Sequence, residues 1–323
     1  MPEGDTIFRA ARTLQTALAG HVVTRFETQY AQLARVHHDA PITGRTVERV
    51  EARGKHLLMH FSGIANLGSP IGTARDAGDH GTSVAGRAAG STKRLRVDGP
   101  MVLRTHMLMS GSWHIYRVGE PWQRSPASAR IVVGTEQFVA VAFTVPVAEF
   151  VEGAALEQHT PIARLGPDVL APDFDAVEAI ARLSADTRPT VAEALLDQSA
   201  VAGIGNVYKS ELLFLAKLWP FTPPADVPLA SWRRLVRDAR ALLRANVVDP
   251  REAGVLSYRG MRRTTGRSNP AERLYVYGRQ GEPCRTCGTA ILLRHHGEHN
   301  RSTYWCPHCQ PETSAPAPEP GRG

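Results

Sequence analysis

Two groups of residues in this chain have types and spacing that could do chemistry. Four cysteines stand as two C-x2-C pairs, Cys284 with Cys287 and Cys306 with Cys309, eighteen residues apart. Thiolate pairs at this spacing can close a tetrahedral zinc site around a β-hairpin, and four sulfur ligands leave no coordination position for substrate. The expectation is one structural Zn2+ per chain that folds its segment without catalysing. Reduced buried thiols are the alternative, disfavoured by the turn-forming Gly288 and Pro307 beside the cysteines. Paired thiols confined to one stretch also suit a reducing compartment better than a disulfide framework. Residues 295–301, at the tip of this hairpin, are basic, and Arg301 either presents a fixed guanidinium to a phosphate or is simply solvated.

The second group is the N-terminal Pro2-Glu3 pair. Removal of Met1 would leave a secondary amine, and terminal amines titrate near about 7.7–8.0 against about 10.4 for lysine, so a useful fraction is unprotonated at neutral pH. Such an amine can attack an aldehyde-like carbon, and the iminium that proline forms carries a permanent positive charge, an electron sink for elimination. Glu3 could serve as acid or base if the fold places its carboxyl over the reacting group. A Met-Pro-Glu opening by itself usually marks a frayed terminus, so the reading depends on the rest of the chain.

The elements that must position these groups can be read from pattern. At 323 residues, 42% apolar and 21% charged, the chain has room for two domains and a sizeable core, and its +7 net charge leans toward a polyanionic partner. No run of about 18 apolar residues occurs and the start is acidic at Glu3 and Asp5, so neither a membrane span nor a signal peptide is expected and the protein is placed in the cytoplasm. Ile7, Phe8, Ala11, Leu14 and Leu18 follow helical spacing, with Asp5 or Thr6 as N-cap and Gly20 as stop. Residues 45–61 read as strands around an Arg53-Gly54-Lys55 turn with Lys55 exposed, 63–99 as a flexible insertion, and 102–107, 112–118, 130–133 and 138–143 as further strands. A boundary falls near 153–160, after which 175–183, 191–196, 206–218 and 232–245 have helical spacing. Gly203 and Gly205 precede a helix opening at Asn206, whose free amides would make a phosphate site. The tail, 311–323, is expected to be disordered.

Read in order, Pro2-Glu3-Gly4-Asp5-Thr6, Arg53-Gly54-Lys55-His56, Gly203-Ile204-Gly205-Asn206-Val207-Tyr208 and Asn300-Arg301-Ser302-Thr303-Tyr304-Trp305-Cys306 resemble the formamidopyrimidine-DNA glycosylase/endonuclease VIII family. The opening and Trp305 look most like its bacterial endonuclease VIII branch. The resemblance spans nearly all of the chain except 63–99 and the tail. It implies an α+β fold: an N-terminal β-sandwich with an N-terminal helix (1–158), a helix-two-turn-helix DNA-binding domain (159–270), and a C-terminal zinc-finger hairpin (271–310). Damaged DNA would lie in the cleft between them, bound by a monomer with no membrane partner.

Carried over by motif, Pro2 is the nucleophile on C1′ of the damaged nucleotide and Glu3 assists ring opening. Lys55 approaches the phosphate or sugar, and Asn206 and Arg301 clamp phosphates beside an extruded base. The resulting Schiff base allows β- and δ-elimination, which makes the chain a bifunctional DNA glycosylase and AP lyase. Met109, in His106-Met107-Leu108-Met109-Ser110-Gly111, either fills the vacated stack or packs in the core. Two departures bear on substrate. No Arg-Arg-Phe-Gly segment of the oxidised-purine enzymes follows the strands, where Val145-Pro146-Val147-Ala148-Glu149-Phe150 stands instead, and a carboxylate often found near the start is replaced by Thr6. By analogy they favour oxidised pyrimidines. The competing readings are the same chemistry on oxidised purines such as 8-oxoguanine, and a zinc protein that binds DNA without turnover.

Overall fold

The computed structural model describes residues 2–63, 98–247, 262–267 and 269–312. The expected insertion, apart from its ends, and the expected tail beyond residue 312 lie outside the described residues.

Helix α1 (Gly4–Leu18) starts at least two residues earlier than expected, with Glu3 rather than Asp5 or Thr6 at the N-cap position. The reason is tertiary: the Glu3 side chain makes no capping bond to its own helix and is drawn to another one. One face of α1, carrying Ile7, Ala10, Ala11, Leu14 and Leu18, is buried in the N-terminal core, while Phe8 packs against the helical half. This helix therefore touches both halves, β2 (Val47–Arg53) on one side and α7 (Leu229–Val247) on the other.

The N-terminal half is two antiparallel four-stranded sheets packed face to face. The first runs β2, β3 (His56–Phe61), β4 (Met101–His106), β8 (Val147–Glu152); the second runs β1 (Arg25–Thr28), β6 (Ala129–Gly134), β7 (Phe138–Phe143), β5 (Ser112–Arg117). Their strands bury Phe61, Leu103, Trp113 and Ile131 between the sheets. Pattern reading missed β1, α2 (Ala31–Asp39) and β8. β1 is only four residues long and alternates weakly, whereas β8 carries two glutamates that are paired or half-exposed at a sheet edge.

Beyond α3 (Thr160–Ala163) the helical half holds α4 (Ala176–Ser184), α5 (Val191–Ala194), α6 (Asn206–Leu215) and α7, around Tyr208, Leu212, Trp232 and Leu243. Asp175 caps α4 by accepting the Val177 and Glu178 amides, and Thr190 caps α5. Both α5 and α6 stop short of their expected ends, at Ala194 and Leu215, and Lys217 takes a left-handed φ of 56° just past α6. A last hairpin, β9 (Leu292–His296) and β10 (Arg301–Trp305), rests on α6.

Inside the sandwich, the Trp113 indole N–H donates to the Thr105 hydroxyl at 3.0 Å, both side chains being fully buried. Thr105→Val keeps the shape and strands that donor. Urea unfolding should show a loss of about 1–3 kcal/mol, with the circular dichroism spectrum at 25 °C unchanged; wild-type stability would mean the bond contributes nothing.

Candidate active site

Glu3 is fully buried, and its carboxylate accepts the backbone amides of Val207 (2.8 Å) and Tyr208 (3.3 Å). These are first-turn amides of α6, so the helix N-terminus that the sequence offered as a phosphate site already holds an anion from the chain itself. Helix partial charge and two N–H donors suit a carboxylate acceptor there. The approach is close: a Cβ on Gly205 would lie 2.3 Å from Glu3 Cδ. The preceding residues fit as tightly, since Gly4 N donates to Gly203 O at 2.9 Å, a Cβ on Gly4 would meet that oxygen at 2.8 Å, and Gly203 has φ +100°.

Arg262 completes this seat. Its guanidinium donates to Asp5 through Nη2 (2.6 Å) and Nε (3.1 Å), stands 3.9 Å from Glu3, and lies over the Tyr208 ring at 4.8 Å. Burial by itself would raise the Asp5 pKa, and Arg262 overrides it and holds the carboxyl low. Thus, one residue before Thr6, Asp5 supplies a buried carboxylate, paired with Arg262.

With the terminus held, Pro2 lines a cleft of about 920 Å³ shared by Glu3, Lys55, His106, Met109, Asn206 and Arg301. Lys55 was expected to be exposed; it is partly buried, because the β2–β3 turn folds against the helical half. Gly54 adopts φ +58°, and its amide donates to buried Asp168 at 2.6 Å while the other Asp168 oxygen accepts Leu170 N. Burial brings the Lys55 ammonium down to about 8, helped by Arg301 and Arg262 and opposed by Glu3. His106 is pushed down to about 4 by burial and by Lys55, so its ring is neutral at pH 7 and its Nδ1 accepts the Leu108 amide.

Met109 is 58% exposed, which rules out the core-packing alternative, and its Sδ is 3.9 Å from Arg301 Nη1 across the cleft mouth. Arg301 begins β10 and is exposed. Asn206 is buried, its Nδ2 donating to Ser302 Oγ (2.9 Å) and its Oδ1 accepting from Lys209 Nζ (2.7 Å). Every residue singled out from sequence for DNA or catalysis therefore lies on one cleft.

The four cysteines form a separate cluster whose sulfurs lie within 4.8 Å of one another, able to hold a metal ion. Glu211, fully buried on α6, ties this segment down by accepting the amides of Tyr275, Val276 and Tyr277 and the Thr264 hydroxyl. Asp168, Lys209, Glu211, Arg262 and His106 were not found from sequence. One available signal was that α6 carries Asn206, Lys209, Ser210 and Glu211 among Val207, Tyr208, Leu212, Leu213 and Phe214, leaving no consistently polar face, so buried polar groups there needed partners.

Comparisons with known proteins agree with this geometry. Residues 1–146 match the formamidopyrimidine-DNA glycosylase N-terminal domain and residues 165–254 the formamidopyrimidine-DNA glycosylase H2TH domain. The chain is 38% identical to a probable endonuclease 8 2 of Streptomyces coelicolor, covering 99% of this chain and 97% of that one. It is 35% identical to endonuclease 8 2 of Mycobacterium tuberculosis (96% and 100%), and 34% identical to the DNA-(apurinic or apyrimidinic site) lyase Nei2 of Mycolicibacterium smegmatis (96% and 99%). Among solved structures, the fold matches Lactococcus lactis formamidopyrimidine-DNA glycosylase bound to DNA containing an AP site, with TM-score 0.69 and 20% identity over 96% of this chain and all of that one.

Gly205→Ala should push the Glu3 carboxylate off the α6 amides. The overpacking is expected to lower the melting temperature by several degrees and lesion cleavage by about 100-fold; cleavage at the wild-type rate would show that the seat is not needed.

Proposed function

We propose that Pro2 is the nucleophile of this chain, which belongs to the formamidopyrimidine-DNA glycosylase/endonuclease VIII family and is a DNA glycosylase and AP lyase of base excision repair. The observation that carries the proposal is the seating of Pro2 on the cleft wall beside a buried carboxylate, opposite Lys55 and within the span of Asn206 and Arg301.

With Met1 removed, the Pro2 nitrogen attacks C1′ of an extruded nucleotide and the C1′–base bond breaks, the damaged base leaving with a proton. Glu3 transfers a proton at the ribose ring oxygen as the sugar opens to the iminium. The iminium then acidifies C2′–H, whose proton is lost as the C3′–O bond to the 3′ phosphate breaks (β-elimination), and next C4′–H, whose proton is lost as the C5′–O bond to the 5′ phosphate breaks (δ-elimination), both protons passing to water. Lys55, a cation below about pH 8, balances phosphate charge beside the reacting sugar, while Asn206 and Arg301 hold the kinked backbone. Met109, exposed at the mouth, fills the gap left by the base. All these groups come from one chain, which supports action as a monomer.

Oxidised pyrimidines are the proposed substrates. The β7–β8 connection is only residues 144–146, its Val145 is fully buried, and Thr144 Oγ1 is bonded to Ser110 O, so no long loop stands there to contact a purine's partner strand. Structural zinc is the proposed occupant of the cysteine cluster. Zn–S bonds of about 2.3 Å in a tetrahedron set sulfurs about 3.8 Å apart, and the pairs Cys284–Cys309, Cys287–Cys306 and Cys287–Cys309 stand at 3.9, 3.4 and 3.5 Å. When bound, zinc supplies a closed four-thiolate crosslink and no reaction step.

Borohydride added during cleavage of a 5-hydroxyuracil duplex should trap a covalent adduct that maps to Pro2 and is absent in Pro2→Gly. Absence of an adduct from Met1-processed protein would overturn the mechanism, and faster cleavage of an 8-oxoguanine duplex would overturn the substrate assignment. For Lys55 the sign is set by its lowered pKa: the cation is present below about 8 and lost above it. Affinity for an abasic duplex should therefore fall as pH rises past about 8, and fall less in Lys55→Met; equal slopes would remove Lys55 from phosphate binding.

A further inference from the structure

Lys209 is a buried cation that the proposed chemistry does not use. It sits one turn after Asn206 on α6, fully shielded from solvent. Its ammonium has three protons and three acceptors: Asn206 Oδ1 at 2.7 Å, the Ser302 carbonyl at 2.9 Å and Thr303 Oγ1 at 2.6 Å. Two of those acceptors belong to β10, the strand that begins with Arg301. The groups facing it carry charge of both signs, Glu3 and Glu193 attracting the ammonium and Arg301 repelling it.

An asparagine amide is chemically two-faced, with a carbonyl that would repel a phosphate and an NH2 that would bind one. Which face turns to the cleft depends on what holds the other. Here the ammonium, which can only donate, captures Oδ1, and the Ser302 hydroxyl takes a single Nδ2 hydrogen. The second Nδ2 hydrogen is left to the cleft that Asn206 lines. Nothing else among the described hydrogen bonds fixes that choice, and a flipped amide would set NH2 against NH3+.

We propose that Lys209 is a positioning residue that sets the polarity of the Asn206 amide and latches α6 to the strand bearing Arg301, so that the two donors meet a DNA phosphodiester as one preformed unit. This rests on the DNA-cleaving function proposed above, although it concerns binding and not the covalent step. Preorganisation lowers the ordering cost of binding, so Lys209 acts on affinity more than on chemistry. A lysine held in this way is also not replaceable by arginine, whose planar guanidinium cannot direct three donors tetrahedrally.

The test uses the full-length, zinc-loaded protein with a duplex bearing a stable abasic-site analogue for binding, and a 5-hydroxyuracil duplex for turnover. Lys209→Met should weaken duplex affinity and raise KM by about tenfold or more, with single-turnover cleavage at saturating DNA within about twofold of wild type. In a double-mutant cycle, Lys209→Met should cost at least about threefold less affinity in the Asn206→Ala background than in the wild type, because only the latch to β10 is then left to lose. Unchanged KM, or losses that multiply, would overturn the proposal. If Lys209→Met does not fold, Ser302→Ala reports on the other end of the same amide: a loss of about threefold or more that disappears in the Asn206→Ala background supports the proposal, and full affinity overturns it. Failure of borohydride trapping in the wild type would strike the Pro2 mechanism alone, because the affinity cycle is read without turnover.

Discussion

The Glu3 carboxylate on the first amides of α6 is the interaction on which the rest of the molecule depends. A chain terminus normally frays, and a nucleophile on a frayed terminus samples too many positions to react efficiently. Here the side chain that follows Pro2 is buried in the opposite half of the molecule, with hydrogen bonds to a charged group worth about 1.5–3 kcal/mol each. Three glycines, Gly4, Gly203 and Gly205, permit the approach, and α1, packed between sandwich and α7, fixes its direction. One bond pair thus docks the two halves and aims Pro2 at the cleft.

That seat also sets the electrostatics of the site. Glu3 and Asp5 face Lys55, Lys209, Arg262 and Arg301, while Glu193, Asp197 and Glu298 line the same cleft together with Arg188. Burial lowers Lys55 to about 8 and Lys209 to about 7, whereas Arg262, paired with both carboxylates, is held above its ordinary value in spite of its burial. The division is functional. Arg262 is neutralised by its partners and serves the terminus, Lys209 is spent on its three protein acceptors, and Lys55 and Arg301 are left to meet phosphate. His56 and His106, pushed to about 3 and about 4, add no charge of their own.

Much of this was legible in the sequence, for reasons that particular residues make plain. The four cysteines and the ordered motifs around Pro2, Lys55, Asn206 and Arg301 announced one site, and the α1 spacing and strands β3 to β7 followed from periodicity that single elements carry. What remained hidden were pairings between distant segments. Nothing near Gly54 announces that Asp168 will hold its turn, and nothing near Asn206 announces a fixed amide held by Ser302 and Lys209. The α6 amides were rightly seen as an anion site, but the anion is Glu3, two hundred residues earlier in the chain. Local propensity cannot show such a partner, because burial decides it.

The same logic explains why a metal site belongs at the far end of the chain. Around the β9–β10 hairpin the apolar cluster is small: Phe214, Val276, Ile291 and two of the cysteines themselves. So little buried area cannot order a two-stranded hairpin by itself. The three amides on Glu211, the Gln310 amide on Leu218 O and the Lys209 ammonium supply part of what the core lacks, and a metal ion held by the four cysteines would add a crosslink. These contacts hold the segment that carries Arg301, and none touches Pro2. The molecule therefore separates two tasks: α1 and the glycine loop seat Pro2, and the cysteine hairpin carries Arg301, with α6 as the element to which both are bolted.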